Sequence, residues 1–166
     1  WFAPAGINRG GLNTVSYAKY KLTQANKDSL YDSNINPLAT LSGEGVVVFG
    51  QKTLQKESSA LDRVNVRRLL IELKSYIGQL ADQIVFEQNT ATTRTGFLAR
   101  VTPYLETIQQ KQGLYAFKVV MDDSNNGPAV IDRNQLVGQI YIQPTRTAEF
   151  ISLDFILMPT GAEFPS

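Results

Sequence analysis

Between Asn65 and Gln88, apolar side chains recur at intervals of three and four, at Leu69, Leu73, Tyr76, Ile77, Leu80 and Ile84. That spacing lines one face of an α-helix and commits the segment to packing against another element. Asn65 is a candidate N-cap, because its side-chain oxygen can accept one of the orphan N–H groups of a first helical turn. A second helical stretch runs from about Thr93 to Lys111, with Phe97, Val101, Tyr104, Leu105 and Ile108 on one face and Gly113 as its stop signal. Pro103 lies inside that stretch and is expected to kink or divide it, since it lacks an N–H and crowds the preceding turn.

After these helices the period changes. Residues 115–121, YAFKVVM, and 137–143, VGQIYIQ, read as strands, with the turn-rich run DDSNNGP at 122–128 after the first and Pro144 closing the second. A last strand fits residues 148–158, where Ile151, Leu153, Phe155 and Leu157 alternate with Ser152 and Asp154. Residues 159–166, PTGAEFPS, bury little and read as an extended arm. Upstream, residues 23–33 form a short helix capped by Thr23, and Pro37 to Leu54 reads as a hairpin around Val46, Val47, Val48 and Phe49 with flanking glycines. This order predicts an α+β fold: a mixed or antiparallel sheet packed against two main helices, with extended terminal segments. At 166 residues the chain has the length of one domain, and such a domain buries roughly 70% of the surface its unfolded chain exposes.

The residue inventory narrows the chemistry. Cysteine and histidine are both absent, which removes thiolate nucleophiles, Cys-type zinc sites and the commonest general base together. A net charge of +1 gives no excess of cations for a phosphate backbone, so nucleic acid is not an expected partner. No apolar run approaches the ~20 residues of a membrane-spanning helix, and no membrane partner is expected. The stretch Gly45 to Thr53 falls one residue short of a phosphate-binding loop, because Gln51 separates Gly50 from Lys52 and the residues between the glycines favour a strand. The run starting at Asp122 begins like a calcium loop, but its twelfth position is Arg133 where a bidentate Glu is required. Paired carboxylates for hydrolysis could come from Glu72, Asp82, Glu87, Glu106, Asp122 or Asp154, and no spacing brings two of them together. The sequence thus offers no catalytic residue, cofactor site or metal site.

Two features are left over. Arg67 and Arg68 fall in the first turn of the long helix, where the helix dipole disfavours cations by a few tenths to about 1 kcal/mol each. Arg68 can reach Glu72 four residues on, in the weaker orientation for such a pair, so the two arginines point either to an internal ion pair or to carboxylates on another molecule. The second feature is the closing strand, 148–158, with the extended arm after it. It is either an ordinary sheet edge or a strand that completes the sheet of a neighbouring copy.

The segments WFAPAGINRGGL at 1–12, NINPLATLSGEGVVVFGQKTL at 34–54, DRVNVRRLLIELKSYI at 62–77 and FEQNTATTRTGFLARVTPYL at 86–105 together resemble the C-terminal domain of tail sheath proteins from contractile-tailed bacteriophages, of the T-even-like type. GLYAFKVVMDDSNN at 113–126 and VGQIYIQPTRTAEFISLDFILMPTG at 137–161 extend the resemblance over nearly the whole chain. The resemblance implies a structural, non-enzymatic subunit. It implies that residues 1–166 are the inner, C-terminal domain of a longer polypeptide, re-entered at WFAPAG after outer domains. It also implies stacked hexameric rings around a tail tube protein, bounded by baseplate and tail terminator, in a virion tail assembled in the host cytoplasm.

On that expectation Arg67, Arg68 and Glu72 make polar contacts with the tube or an adjacent subunit. Phe150, Ile151, Leu153, Phe155, Leu157 and Met158 then belong to an intersubunit strand. Two readings of other classes remain beside it: a baseplate-associated hydrolase built on carboxylates, and a monomeric binding module.

Overall fold

A computed structural model describes residues 1–153. Helix α1 spans Gln24–Asp32 and starts as its sequence predicts, with the Thr23 side chain accepting from the Asn26 N–H at 3.3 Å. It closes on Asn34, which holds a left-handed φ of 59° while its N–H and that of Ile35 return to the carbonyls of Tyr31 and Leu30. Asparagine tolerates this conformation better than most residues, so the helix stops cleanly before Pro37.

Strands β1 (Leu38–Leu41) and β2 (Gly45–Val48) form the expected antiparallel hairpin, with Leu41 opposite Gly45. Gly43 and Gly45 have φ of 83° and 76°, a backbone that a side chain would strain. The phosphate-loop look-alike is therefore a strand: Val46 and Val47, on its opposite faces, are both buried, and Gly11 bridges to Val47 from the other side. A short 3-10 turn at Ala60–Asp62 leads into α2 (Val64–Asp82).

The N-cap of α2 is Arg63 rather than Asn65. Arg63 has extended backbone angles and caps nothing with its side chain, while the Val64 N–H donates to Gln51 O at 2.8 Å. Asn65 sits two residues further in, still in the first turn, buried, with its Oδ1 lacking a protein donor. The helix also ends at Asp82, short of the periodicity's limit at 88, because the chain turns back through Phe86 with φ of 72°.

Helix α3 spans Ala91–Gln110 under a Thr90 cap and runs unbroken through Pro103. Pro103 and Ala99 are both exposed, so the carbonyl that loses its intrahelical donor can face water. The C-terminal signal is displaced by one residue. Gln112 carries the left-handed φ, 62°, and the Gly113 N–H reaches back to Ile108 O at 2.8 Å, a Schellman closure. Gly113 is small for a packing reason: a Cβ there would lie 2.5 Å from Ile108 Cγ2 and 3.2 Å from Trp1 Cγ.

Strands β3 (Leu114–Val120) and β4 (Gln139–Pro144) pair antiparallel in a second two-stranded sheet, so the single sheet expected from the sequence is two small antiparallel ones. Their connection is no tight turn. It includes a short helix α4 (Pro128–Ile131) and is fixed by Asn126, which is 1% exposed. Its Nδ2 donates to Val137 O at 2.9 Å and to Asp122 O at 3.1 Å, and its Oδ1 accepts from the Val137 N–H at 2.8 Å.

The core lies between α2, α3 and the β3–β4 sheet, built from Leu69, Leu73, Phe97, Val101, Leu105, Ile108, Leu114 and Met121. Trp1 covers one end, and its indole N–H donates to Lys111 O at 2.8 Å. Phe2 beside it stays half exposed beneath Arg9.

Candidate functional site

Arg67, Arg68 and Glu72 are exposed on α2, with Arg68 and Glu72 bordering the buried stripe of Leu69 and Leu73 on the side near Trp1. Placement follows from helical spacing, since positions 68 and 72 fall one turn apart along the border of the apolar stripe. Among the described residues none of the three takes part in an ion pair; those present join Arg63 to Asp62, Arg63 to Glu149 and Arg94 to Asp123. The Arg68–Glu72 pair allowed by spacing is not formed. Both cations thus lack a carboxylate partner among the described residues.

The closing strand behaves differently from its sequence pattern. Residues 148–153 adopt no strand and pair with no other segment of the described chain, and Phe155, Leu157 and Met158 lie outside the described residues. Alternation along 148–158 nevertheless marks a segment that wants a sheet on one side. Within the described part, Phe150, Ile151 and Leu153 are 82%, 78% and 72% exposed, so three large apolar side chains within four residues are largely open to solvent. The β3–β4 sheet has only two strands, and among the described residues the outer edges of both lack a strand partner.

Sequence reasoning missed the cluster that holds the root of this segment. Glu149 collects three donors from three parts of the chain. The Tyr31 hydroxyl donates from α1, Gln51 Nε2 at 3.2 Å from the stretch after β2, and Arg63 Nε at 2.8 Å from the start of α2. Gln51 Nε2 also donates to Thr147 Oγ1 at 2.5 Å. The Tyr31 ring meets Phe150 edge-on at 6.2 Å, and Lys52 Nζ lies 4.0 Å from the centre of the same ring.

Burial alone would raise the Glu149 pKa. The hydrogen bonds from Arg63, Tyr31 and Gln51, with the Arg63 charge, outweigh it and hold the carboxyl below its ordinary value. Tyr31 is pushed up, first by burial and then by its bond to Glu149 and that residue's charge. No local pattern announces such a site, because Tyr31, Gln51, Arg63 and Glu149 are far apart in sequence.

The carboxylates expected for a hydrolase are not gathered. The larger cavity, about 1090 Å³ beside the end of α2 and the β3–β4 sheet, has Glu87 as its one acidic lining residue among apolar neighbours such as Phe97, Val119 and Ile140. The smaller, of about 540 Å³, is lined by Asp28 and Glu149, and Glu149 is engaged by its three donors. Asp154 lies outside the described residues. Among the described residues no group of three acidic side chains is placed to hold a metal ion, and no helix is long and apolar enough to cross a membrane.

The profile of the phage tail sheath C-terminal domain matches residues 56–157, well over half of the chain. The chain belongs to that family. It is 42% identical over 164 residues to the tail sheath protein of Vibrio phage KVP40, covering 99% of this chain and 24% of that protein. It is also 42% identical over 164 residues to the tail sheath protein of Enterobacteria phage T4, covering 99% of this chain and 25% of that one. The chain thus spans about a quarter of the length of these relatives.

Among solved structures, a chain of the anti-feeding prophage baseplate superposes with a TM-score of 0.84 at 27% identity, covering 95% of this chain and 45% of that one. A chain of the contracted sheath complex of the PVC extracellular contractile injection system gives 0.84 at 26% identity, covering 94% and 45%. The family is one of structural sheath proteins, not of enzymes, and its relatives are phage tail components. The α+β fold expected from sequence is the fold these sheath chains share.

Proposed function

We propose that residues 1–166 form the inner, C-terminal domain of a contractile sheath subunit. Copies of that subunit stack as hexameric rings around a tail tube, between baseplate and tail terminator, and contraction drives the tube through the host envelope. Particles of this kind are put together in the host cytoplasm and leave as virion tails. The observation that carries the reading is the segment after Glu149. It has the alternation of a strand and three uncovered apolar side chains, and the sheet it would complete is not in its own described chain.

Adding Phe150 to Met158 to the β3–β4 sheet of a neighbouring copy supplies main-chain hydrogen bonds to an open edge and buries alternate apolar residues, the physics of β-augmentation. Arg67, Arg68 and Glu72 supply contacts of the opposite kind. Exposed charge pairs are weak and salt-screened, so they can be exchanged between two packings while strand pairings persist. Energy for contraction resides in subunit packing, and the reading invokes no nucleotide or other cofactor.

Negative-stain electron microscopy of the complete gene product, purified without other phage proteins and then mixed with tail tube, tests this. Hollow tubes with a regular axial repeat are expected. Particles that stay monodisperse even with tube present would return weight to a monomeric binding module.

A further inference from the structure

The C-terminal segment leaves the body at one chemically defined point. Thr145 is still part of the core scaffold, its N–H donating to Gly113 O at 3.2 Å and its hydroxyl to Gln112 O at 2.6 Å. Arg146 is exposed. Thr147, Glu149 and Phe150 are then gripped by Gln51, Arg63 and Tyr31, and from Ile151 the described chain is uncovered. The gripping groups come from α1, the post-β2 stretch and the start of α2, so three elements of the body converge on a tether about five residues long.

The grip is also charge-dependent. Around Glu149 stand Arg63 with its neighbour Asp62, Lys52 over the Tyr31 ring, and Lys27 and Asp28 along the adjoining groove. An ionised carboxylate accepts all three bonds at once, and each is stronger for the charge. A neutral amide in its place accepts through one oxygen and brings two N–H groups to face donors.

We propose that Glu149 is the positioning residue that roots the C-terminal segment. Held by Arg63, Tyr31 and Gln51, it keeps residues 147–150 on the body, so that the chain from Ile151 onward leaves toward a neighbouring subunit from a fixed origin. This rests on the sheath reading for its consequence but not for its test. A tethered strand searches a small volume for its partner edge, whereas one free from Thr145 searches a larger one, so the anchor raises the effective concentration of the strand at its acceptor.

The test is limited trypsin digestion of the complete, unassembled polypeptide at pH 8, timing cleavage after Arg146 against cleavage after Arg100 in α3 and Lys118 in β3. Docking of residues 147–150 keeps the Arg146 bond out of the protease. Glu149→Gln is expected to speed cleavage after Arg146 about tenfold and leave the other two sites unchanged. Tyr31→Phe, which removes one hydroxyl and keeps the ring, is expected to give a smaller rise at the same bond, and Arg63→Lys, which keeps the charge, an intermediate one.

Cleavage after Arg146 that is unchanged in both Glu149→Gln and Tyr31→Phe overturns the proposal. So does a rise that runs in parallel at Arg100 and Lys118, because that would mark general destabilisation. Because the readout precedes assembly, it stands whether or not the protein forms tubes, and failure of the tubes would bear on the sheath reading alone.

Discussion

Arg63 Nε donates to Glu149 Oε1 at 2.8 Å, joining the residue that opens α2 to one 86 positions further along the chain. Both side chains are largely covered, 26% and 17% exposed, so the pair is less screened than a surface ion pair. Its neighbours Tyr31 and Gln51 donate to the same carboxylate, which makes the site a network whose members are best removed one at a time.

Acid should loosen this network. The folded state holds the Glu149 pKa below its ordinary value, so the carboxylate contributes stability that is fully present above the unfolded value of about 4.3 and is lost as pH falls through the folded one. Thermal unfolding of wild type and Glu149→Gln between pH 7 and pH 3 is the measurement. At pH 7 the variant is expected to be less stable by about 1.5–3 kcal/mol, the range for a hydrogen bond to a charged group. The gap should shrink below about pH 4.3. A gap independent of pH would mean that packing, not charge, holds the segment.

The local signals in the sequence carried most of the fold and little of this site. The Thr23 cap, the glycine-bounded hairpin, and the three-and-four spacing along Leu69 to Leu80 each depend on neighbours a few residues away, and the structure follows them. Asn65 failed as a cap because the entry to α2 is set at long range, by the Val64 N–H finding Gln51 O. The Glu149 cluster was invisible for the same reason: one acid, one tyrosine and one arginine, scattered along the chain, have no period. Alternation along 148–158 announced a strand, but among the described residues 148–153 pair with no sheet, and a strand pattern needs a partner edge to become a strand.

Two adjacent residues at the end of α3 should respond in opposite directions. Gln112 occupies a left-handed position where a side chain costs roughly 1–2 kcal/mol, so Gln112→Gly should stabilise, by somewhat less than that because glycine also loses more chain entropy. Gly113→Ala places a Cβ 2.5 Å from Ile108 Cγ2 and close to Trp1, in the wall of the core, and should destabilise by about 1–3 kcal/mol. Urea denaturation of the two single variants checks both signs.

Asn126 is the hub of the connection between β3 and β4. Its amide satisfies both the N–H and the carbonyl of Val137 at the entry to β4, in a buried site where water cannot easily substitute. Asn126→Ala leaves these groups unpaired and should cost about 2–3 kcal/mol in urea unfolding. Asn126→Asp keeps the oxygen but loses the donor to Val137 O, so it should be destabilised as well. If both variants unfold with the wild type, the connection is held by something other than Asn126.

The arginine pair on α2 should separate assembly from folding. Arg67 and Arg68 are exposed, form no ion pair among the described residues, and stand at the fourth and fifth positions of α2, where the dipole's preference for negative charge is already fading. Arg67→Glu with Arg68→Glu should therefore leave the isolated protein about as stable as before, within about 0.5 kcal/mol per site, as for exposed positions generally. If the pair meets carboxylates on the tube or a neighbouring subunit, the same change turns attraction into repulsion and should abolish regular tubes in electron micrographs. Raising salt should weaken wild-type assembly in parallel, because contacts of this kind are screened over a Debye length of about 8 Å at physiological ionic strength. Tubes that form normally from the doubly reversed protein would remove Arg67 and Arg68 from the interface and leave strand pairing to hold the subunits together.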